Sequence, residues 1–70
     1  MKEKIKNAIR ENVIEQTKDV GVTLSAEQIE AVVECGTEIW APGLYEDFID
    51  CAYEAIVEAQ SRNLIPEFDI

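Results

Sequence analysis

Histidine is absent from this 70-residue sequence, and basic residues are few, since six Lys and Arg stand against fifteen Asp and Glu. Without histidine, the commonest general base and metal ligand near neutral pH is missing. The formal net charge of −9 argues against direct contact with nucleic acid or an anionic membrane surface, because phosphate binding needs clustered Lys and Arg. The composition favours attraction to basic partners instead.

Other chemical signatures are missing too. Cys35 and Cys51 lie sixteen positions apart without a second ligand pair, so zinc is not expected and both are predicted to be small buried residues. The sequence contains no calcium loop, glycine-rich phosphate loop or serine elbow. Its start lacks the apolar run of a signal peptide, and no stretch approaches the roughly 18 apolar residues of a membrane span. We therefore expect a non-enzymatic cytoplasmic protein with no cofactor and no metal.

Apolar residues at helical spacing predict an all-α fold. Helices are expected at about 2–20, 26–39 and 43–62, in a single domain covering 1–70. The third helix is expected to be central, with an extended tail at 64–70 laid across it. A domain this short has a small core and marginal stability, which makes partner binding or self-association unsurprising.

Local signals refine this outline. Ser25 and Gln28 form a capping box at the start of the second helix. Gly21 and Asn63 are predicted left-handed stops. Gly36 within the second helix lowers helix propensity by about 1 kcal/mol relative to Ala, which indicates close approach of another helix.

The tail is too apolar for an ordinary solvated end. Leu64, Ile65 and Phe68 are expected to fold back onto the core, although an extended segment that docks on a partner is an alternative. Ile14 on the first helix is expected to point away from the core.

Acidic residues repeat at steps of three, four and four in both the second and third helices, so that each set forms a stripe on one face. Each like-charged neighbour costs about 0.2–0.5 kcal/mol, and six such neighbours lower stability by about 1–3 kcal/mol. The candidate partner-binding residues are Glu27, Glu30, Glu34, Glu38, Asp47, Asp50, Glu54 and Glu58.

Charge retained at a cost to folding indicates a positively charged target. Two adjacent stripes would place one charge per roughly 2.7 Å, against about 1.7 Å for duplex DNA. We therefore expect an inhibitor or modulator that occupies the basic surface of a nucleic-acid-handling protein, as a nucleic-acid mimic would. In size and charge the chain is similar to the small acidic inhibitors that phages and immunity systems use against host proteins. The alternative is that the stripes are ordinary solvent-exposed helix faces that bind no partner.

The wide apolar arc of the third helix supports a different interpretation, in which the chain is a self-associating structural module or homodimer. The candidate self-association residues are Trp40, Tyr45, Ile49, Tyr53, Val57 and Phe68.

Overall fold

In a computed structural model, the protein folds into three α-helices that each pack against the other two. The structure describes residues 2–41, 44–45 and 47–69, without the side chain of Lys2. These data confirm the predicted all-α, three-helix class. The third helix was expected to be central. It is not enclosed by the other two, because every pair of helices is in contact, although it has the most buried residues of the three. The helices are α1 (Lys2–Asp19), α2 (Ala26–Ile39) and α3 (Phe48–Ser61).

Helix α3 begins at Phe48, later than the predicted start at 43. Asp47 is its N-cap, and the Asp47 carboxylate accepts a hydrogen bond of 2.9 Å from the amide of Ile49. Leu44 and Tyr45 precede the helix, so the predicted start is wrong, while Gly43 itself lies outside the described residues. The apolar pattern was misleading because Tyr45 packs against the core from a non-helical segment.

The remaining helix boundaries follow the local signals. The Ser25 hydroxyl accepts from the Gln28 amide at 3.1 Å, and the Gln28 side chain accepts from the Ser25 amide at 2.9 Å, which confirms the capping box. A left-handed residue follows two positions after the last residue of α1 and of α3, Gly21 with φ 75° and Asn63 with φ 60°. In each, the following amide bonds back to a carbonyl of the last helical turn. These bonds join Val22 N to Thr17 O at 2.8 Å and Leu64 N to Ala59 O at 2.9 Å.

Gly36 marks a point where all three helices meet. A Cβ atom built on Gly36 would lie 2.8 Å from Ile9 Cγ2 on α1 and 3.3 Å from Ala55 Cβ on α3. The close approach expected from the sequence is therefore confirmed. The buried apolar residues of the core are Ile9, Val13, Leu24, Val32, Val33, Cys35, Cys51, Ala52, Ala55, Ile56, Ala59 and Ile65.

The described part of the tail folds back onto the helices. Two of the three apolar residues expected to pack inward do so. Ile65 is buried and Phe68 is half-buried against the core. The Gln60 amide nitrogen donates to the Phe68 carbonyl at 3.0 Å, which ties the tail to α3. Leu64 remains 44% exposed, so the expectation that it packs inward is wrong. Its amide closes the left-handed turn, while its side chain stays at the surface.

Candidate partner-binding surface

The acids of α2 are exposed, but cations of α1 pair with two of them. Arg10 donates from Nε to Glu30 Oε2 at 2.7 Å and from Nη2 to Glu30 Oε1 at 2.9 Å. Lys6 Nζ lies 3.2 Å from Glu34 Oε1. The hydrogen bonds from Arg10 hold the pKa of the Glu30 carboxyl below its ordinary value, although desolvation opposes this, and the same contact raises the pKa of Arg10.

A third cation joins the two acidic stripes. Arg62, at the C-cap of α3, lies 2.9 Å through Nη1 from Glu38 Oε1 and 2.8 Å through Nε from Glu58 Oε2. These hydrogen bonds raise the pKa of Arg62. Both carboxylates are near helix C-termini, where the helix dipole disfavours negative charge, and Arg62 offsets that effect. Four of the eight stripe acids thus have cationic partners on other parts of the chain or one turn away, and these partners oppose the like-charge repulsion expected within each stripe.

The acids without a described cationic partner are concentrated on α3. Asp47 is engaged as the N-cap of that helix. Asp50 and Glu54 are exposed one turn apart, and none of the ion pairs among the described side chains includes them. Glu27, on α2, is exposed in the same way. Among the stripe acids, Asp50 and Glu54 are therefore the two that lie one turn apart, are exposed and have no described cationic partner.

An exposed apolar stripe runs beside Asp50 and Glu54. Ile49 is 57% exposed, Tyr53 42% and Val57 38%. They recur every four residues, so they form a row about 12 Å long on one side of the helix. The three apolar residues and the two acids together are named the α3 face. Such rows of partly exposed apolar side chains rimmed by charge are typical of protein interaction sites.

Other elements border the α3 face at both ends. Beside Ile49, the side chain of Gln16 on α1 donates to the Ile49 carbonyl at 2.9 Å. At the opposite end, Val57 lines an open depression of about 590 Å³ between α3 and the tail. Apolar side chains, uncharged polar side chains and two exposed carboxylates line the depression. Its lining residues are Val57, Gln60, Ser61, Glu67, Phe68 and Asp69.

The other candidate self-association residues are engaged within the chain. The ring of Trp40 stacks on Phe48 with centroids 4.5 Å apart and on Tyr45 at 6.1 Å. Phe68 packs against the core. Among the described candidates, the three apolar residues of the α3 face remain as a continuous exposed row. The stacking of Trp40 on Phe48 was not predicted, because it joins residues on either side of the loop between α2 and α3.

Both cysteines are buried, as predicted, and the Cys51 thiol donates to the Gly36 carbonyl at 3.5 Å. Burial raises the pKa of both thiols, so neither is activated as a nucleophile. Among the described residues, no cluster of three or more acids or cysteines could hold a metal ion. None of the described helices is long and apolar enough to span a membrane.

The described residues form a small acidic three-helix fold with a mixed apolar and acidic surface on α3. Comparison with protein-family models, with curated proteins and with solved structures finds no match in any of the three. Inference about function therefore depends on the geometry of the α3 face.

Proposed function

We propose that this chain is a small non-enzymatic binding protein that inhibits or modulates a basic, nucleic-acid-handling protein, and that the α3 face makes the contact. The main supporting observation is the position of Asp50 and Glu54, exposed beside the row of Ile49, Tyr53 and Val57. Unopposed carboxylates favour a cationic surface, and exposed apolar side chains add affinity when they are covered.

The acids of α2 have a secondary part in this proposal. Glu30, Glu34 and Glu38 already contact cations of this chain. A cation of the partner would therefore have to displace those intramolecular partners before it could bind these carboxylates. Exposed ion pairs of this kind contribute little to stability. The net charge of −9 nevertheless accelerates encounter with a basic protein at low ionic strength. We therefore assign α2 to long-range attraction and α3 to direct contact.

Capture on the immobilised protein tests this function. A lysate of the native source is applied at low salt, and bound proteins are eluted first with duplex DNA and then with increasing sodium chloride. The expected partner is basic and is released both by DNA, which competes for its basic surface, and by salt, which screens the charges. Partners that are neutral, or that stay bound equally well in concentrated salt and DNA, would contradict the proposal.

Self-association is the second candidate, supported by the exposure of Ile49, Tyr53 and Val57. Sedimentation equilibrium over a wide concentration range tests it. A homodimer predicts that Ile49→Gln weakens association while Ile14→Gln, at an isoleucine 43% exposed on α1, leaves it unchanged. A strictly monomeric protein at all concentrations would exclude this candidate.

A further inference from the structure

We infer that the α3 face binds a basic amphipathic helix of the partner protein. The partner helix would lie along α3, with its apolar residues on Ile49, Tyr53 and Val57 and its Lys or Arg residues beside Asp50 and Glu54. This inference rests on the proposed function and adds to it the secondary structure and side-chain pattern of the partner segment.

The shape of the apolar row matches a helix better than an irregular loop. Its three members are spaced by one helical turn over about 12 Å, and they lie on the outer surface of a helix. Two helices pack by placing such rows of side chains, four residues apart on one helix, into the grooves of the other. The row is also too narrow to cover a broad apolar surface, so the charged flank has to contribute to recognition.

The position of the acids determines where the partner's cations lie. Asp50 and Glu54 are one helical turn apart, so their carboxylates form a second row beside the apolar one. At the Ile49 end of the face, the side chain of Gln16 donates to the Ile49 carbonyl and presents no charge. The partner helix should therefore have Lys or Arg along the flank of its apolar stripe that lies beside Asp50 and Glu54.

The depression beside Val57 extends the same pattern beyond the end of the row. Val57 and Phe68 contribute apolar side chains to its lining, and Glu67 and Asp69 contribute exposed carboxylates. A Lys or Arg side chain fits this combination, because its aliphatic stem packs on apolar groups while its charged head stays near carboxylates and water. The partner helix therefore gains one further basic contact at this end.

A second copy of this chain fits the α3 face poorly. Each copy has a net charge of −9, and three of its six basic residues, Lys6, Arg10 and Arg62, are already paired within the chain. Charge complementarity therefore favours a cationic helix over self-association.

Three synthetic peptides of 18 residues test the inference against the full chain. The first is an amphipathic helix of Leu and Lys, the second has the same composition in an order without an apolar face, and the third replaces Lys with Glu. Titrations are followed by calorimetry and by amide chemical shifts. We expect the first peptide to bind, with the largest shifts at 49–57 and 67–69. The second should bind at least about tenfold more weakly, and the third should not bind.

Matched variants locate the contact. Ile49→Gln should weaken binding of the amphipathic Leu/Lys peptide about tenfold, as expected for an interface anchor, whereas Ile14→Gln should not change it. Tyr53→Ser provides an independent test at a second position, and circular dichroism checks that each variant remains helical. Equal effects of the two isoleucine substitutions would overturn the inference.

The peptide results also separate this inference from the proposed function. Equal binding of the two Leu/Lys peptides, or shifts centred on the α2 acids, would overturn the helix-docking inference and leave a purely electrostatic binding function standing. Failure of both cationic peptides to bind at low salt would contradict the inference and the proposed function together.

Discussion

Arg10 and Glu30 face each other across the α1–α2 boundary and form two parallel hydrogen bonds of 2.7 and 2.9 Å. Twenty residues separate them in the sequence, so the pair exists only in the folded protein. The two bonds fix both planar groups, which adds geometric specificity to their attraction. As a result, this part of the acidic stripe contributes to the contact between helices as well as to the negative surface.

We predict that Glu30→Gln lowers the free energy of unfolding at pH 7, while Glu11→Gln, at an exposed acid in the middle of α1 that takes part in none of the described ion pairs, has less effect. Because Arg10 lowers the pKa of Glu30 in the folded state, the stabilisation is present above the unfolded-state pKa and is lost as the pH falls through the folded-state value. Denaturant unfolding from pH 7 to pH 3 should show the difference between wild type and Glu30→Gln shrinking. A difference that does not change with pH would argue against this assignment.

Gly36→Ala should destabilise the protein although alanine is the better helix former. The substitution gains about 1 kcal/mol of helix propensity but overpacks the contact with Ile9 Cγ2, where the new Cβ would lie at 2.8 Å. Overpacking of a core costs typically 1–3 kcal/mol, so we expect a net loss of up to about 2 kcal/mol in denaturant unfolding. Increased stability would show that the helices separate easily at this point.

Gly21 should respond to substitution for a different reason. Its φ is 75° and nothing lies within 4 Å of the position that a Cβ would take, so the cost comes from the left-handed backbone alone. Gly21→Ala should lose about 1–2 kcal/mol, whereas Gly21→Asn should lose less, because asparagine adopts this conformation in the same motif at Asn63. Thermal unfolding of both variants measures this order, and equal losses would contradict it.

The thiols of Cys35 and Cys51 should react slowly with Ellman's reagent in the native protein. Their side chains are 1% and 0% exposed and their pKa values are raised by burial, so both access and thiolate formation are limited. In denaturant, both should react at the rate of a small-molecule thiol. Fast reaction under native conditions would mean that the α2–α3 contact opens readily.

Much of this fold could be predicted because its boundaries depend on local chemistry. The Ser25 capping box, the left-handed stops and the close approach at Gly36 each follow from a few adjacent residues or from one residue type. The start of α3 could not be located, since the apolar pattern continues into the loop and Asp47 competes with other acids as a candidate cap. Nothing in the local pattern indicates that Tyr45 packs from outside the helix.

The candidate surface was only partly predictable for a related reason. Lys6, Arg10 and Arg62 each form an ion pair with a residue 20 to 28 positions away in the sequence, and only the tertiary structure brings such residues together. The pair of Arg62 with Glu58 is the local exception. The apolar residues of α3 occupy more of its circumference than α1 and α2 cover. Periodicity identifies Ile49, Tyr53 and Val57 as members of that arc, but packing decides that they are the members left exposed.

The most direct test compares two double charge reversals that change the net charge equally. Asp50→Lys with Glu54→Lys alters the α3 face, and Glu11→Lys with Glu15→Lys alters two exposed acids with the same four-residue spacing on α1. Each pair changes the charge by two units at two positions, from −9 to −5. The dissociation constant of the captured partner is measured at low ionic strength for wild type and both variants. We predict at least about tenfold weaker binding for the α3 reversal and less than about threefold for the α1 reversal. Equal losses in both variants, or no loss in the α3 variant, would contradict the assignment of partner binding to the α3 face.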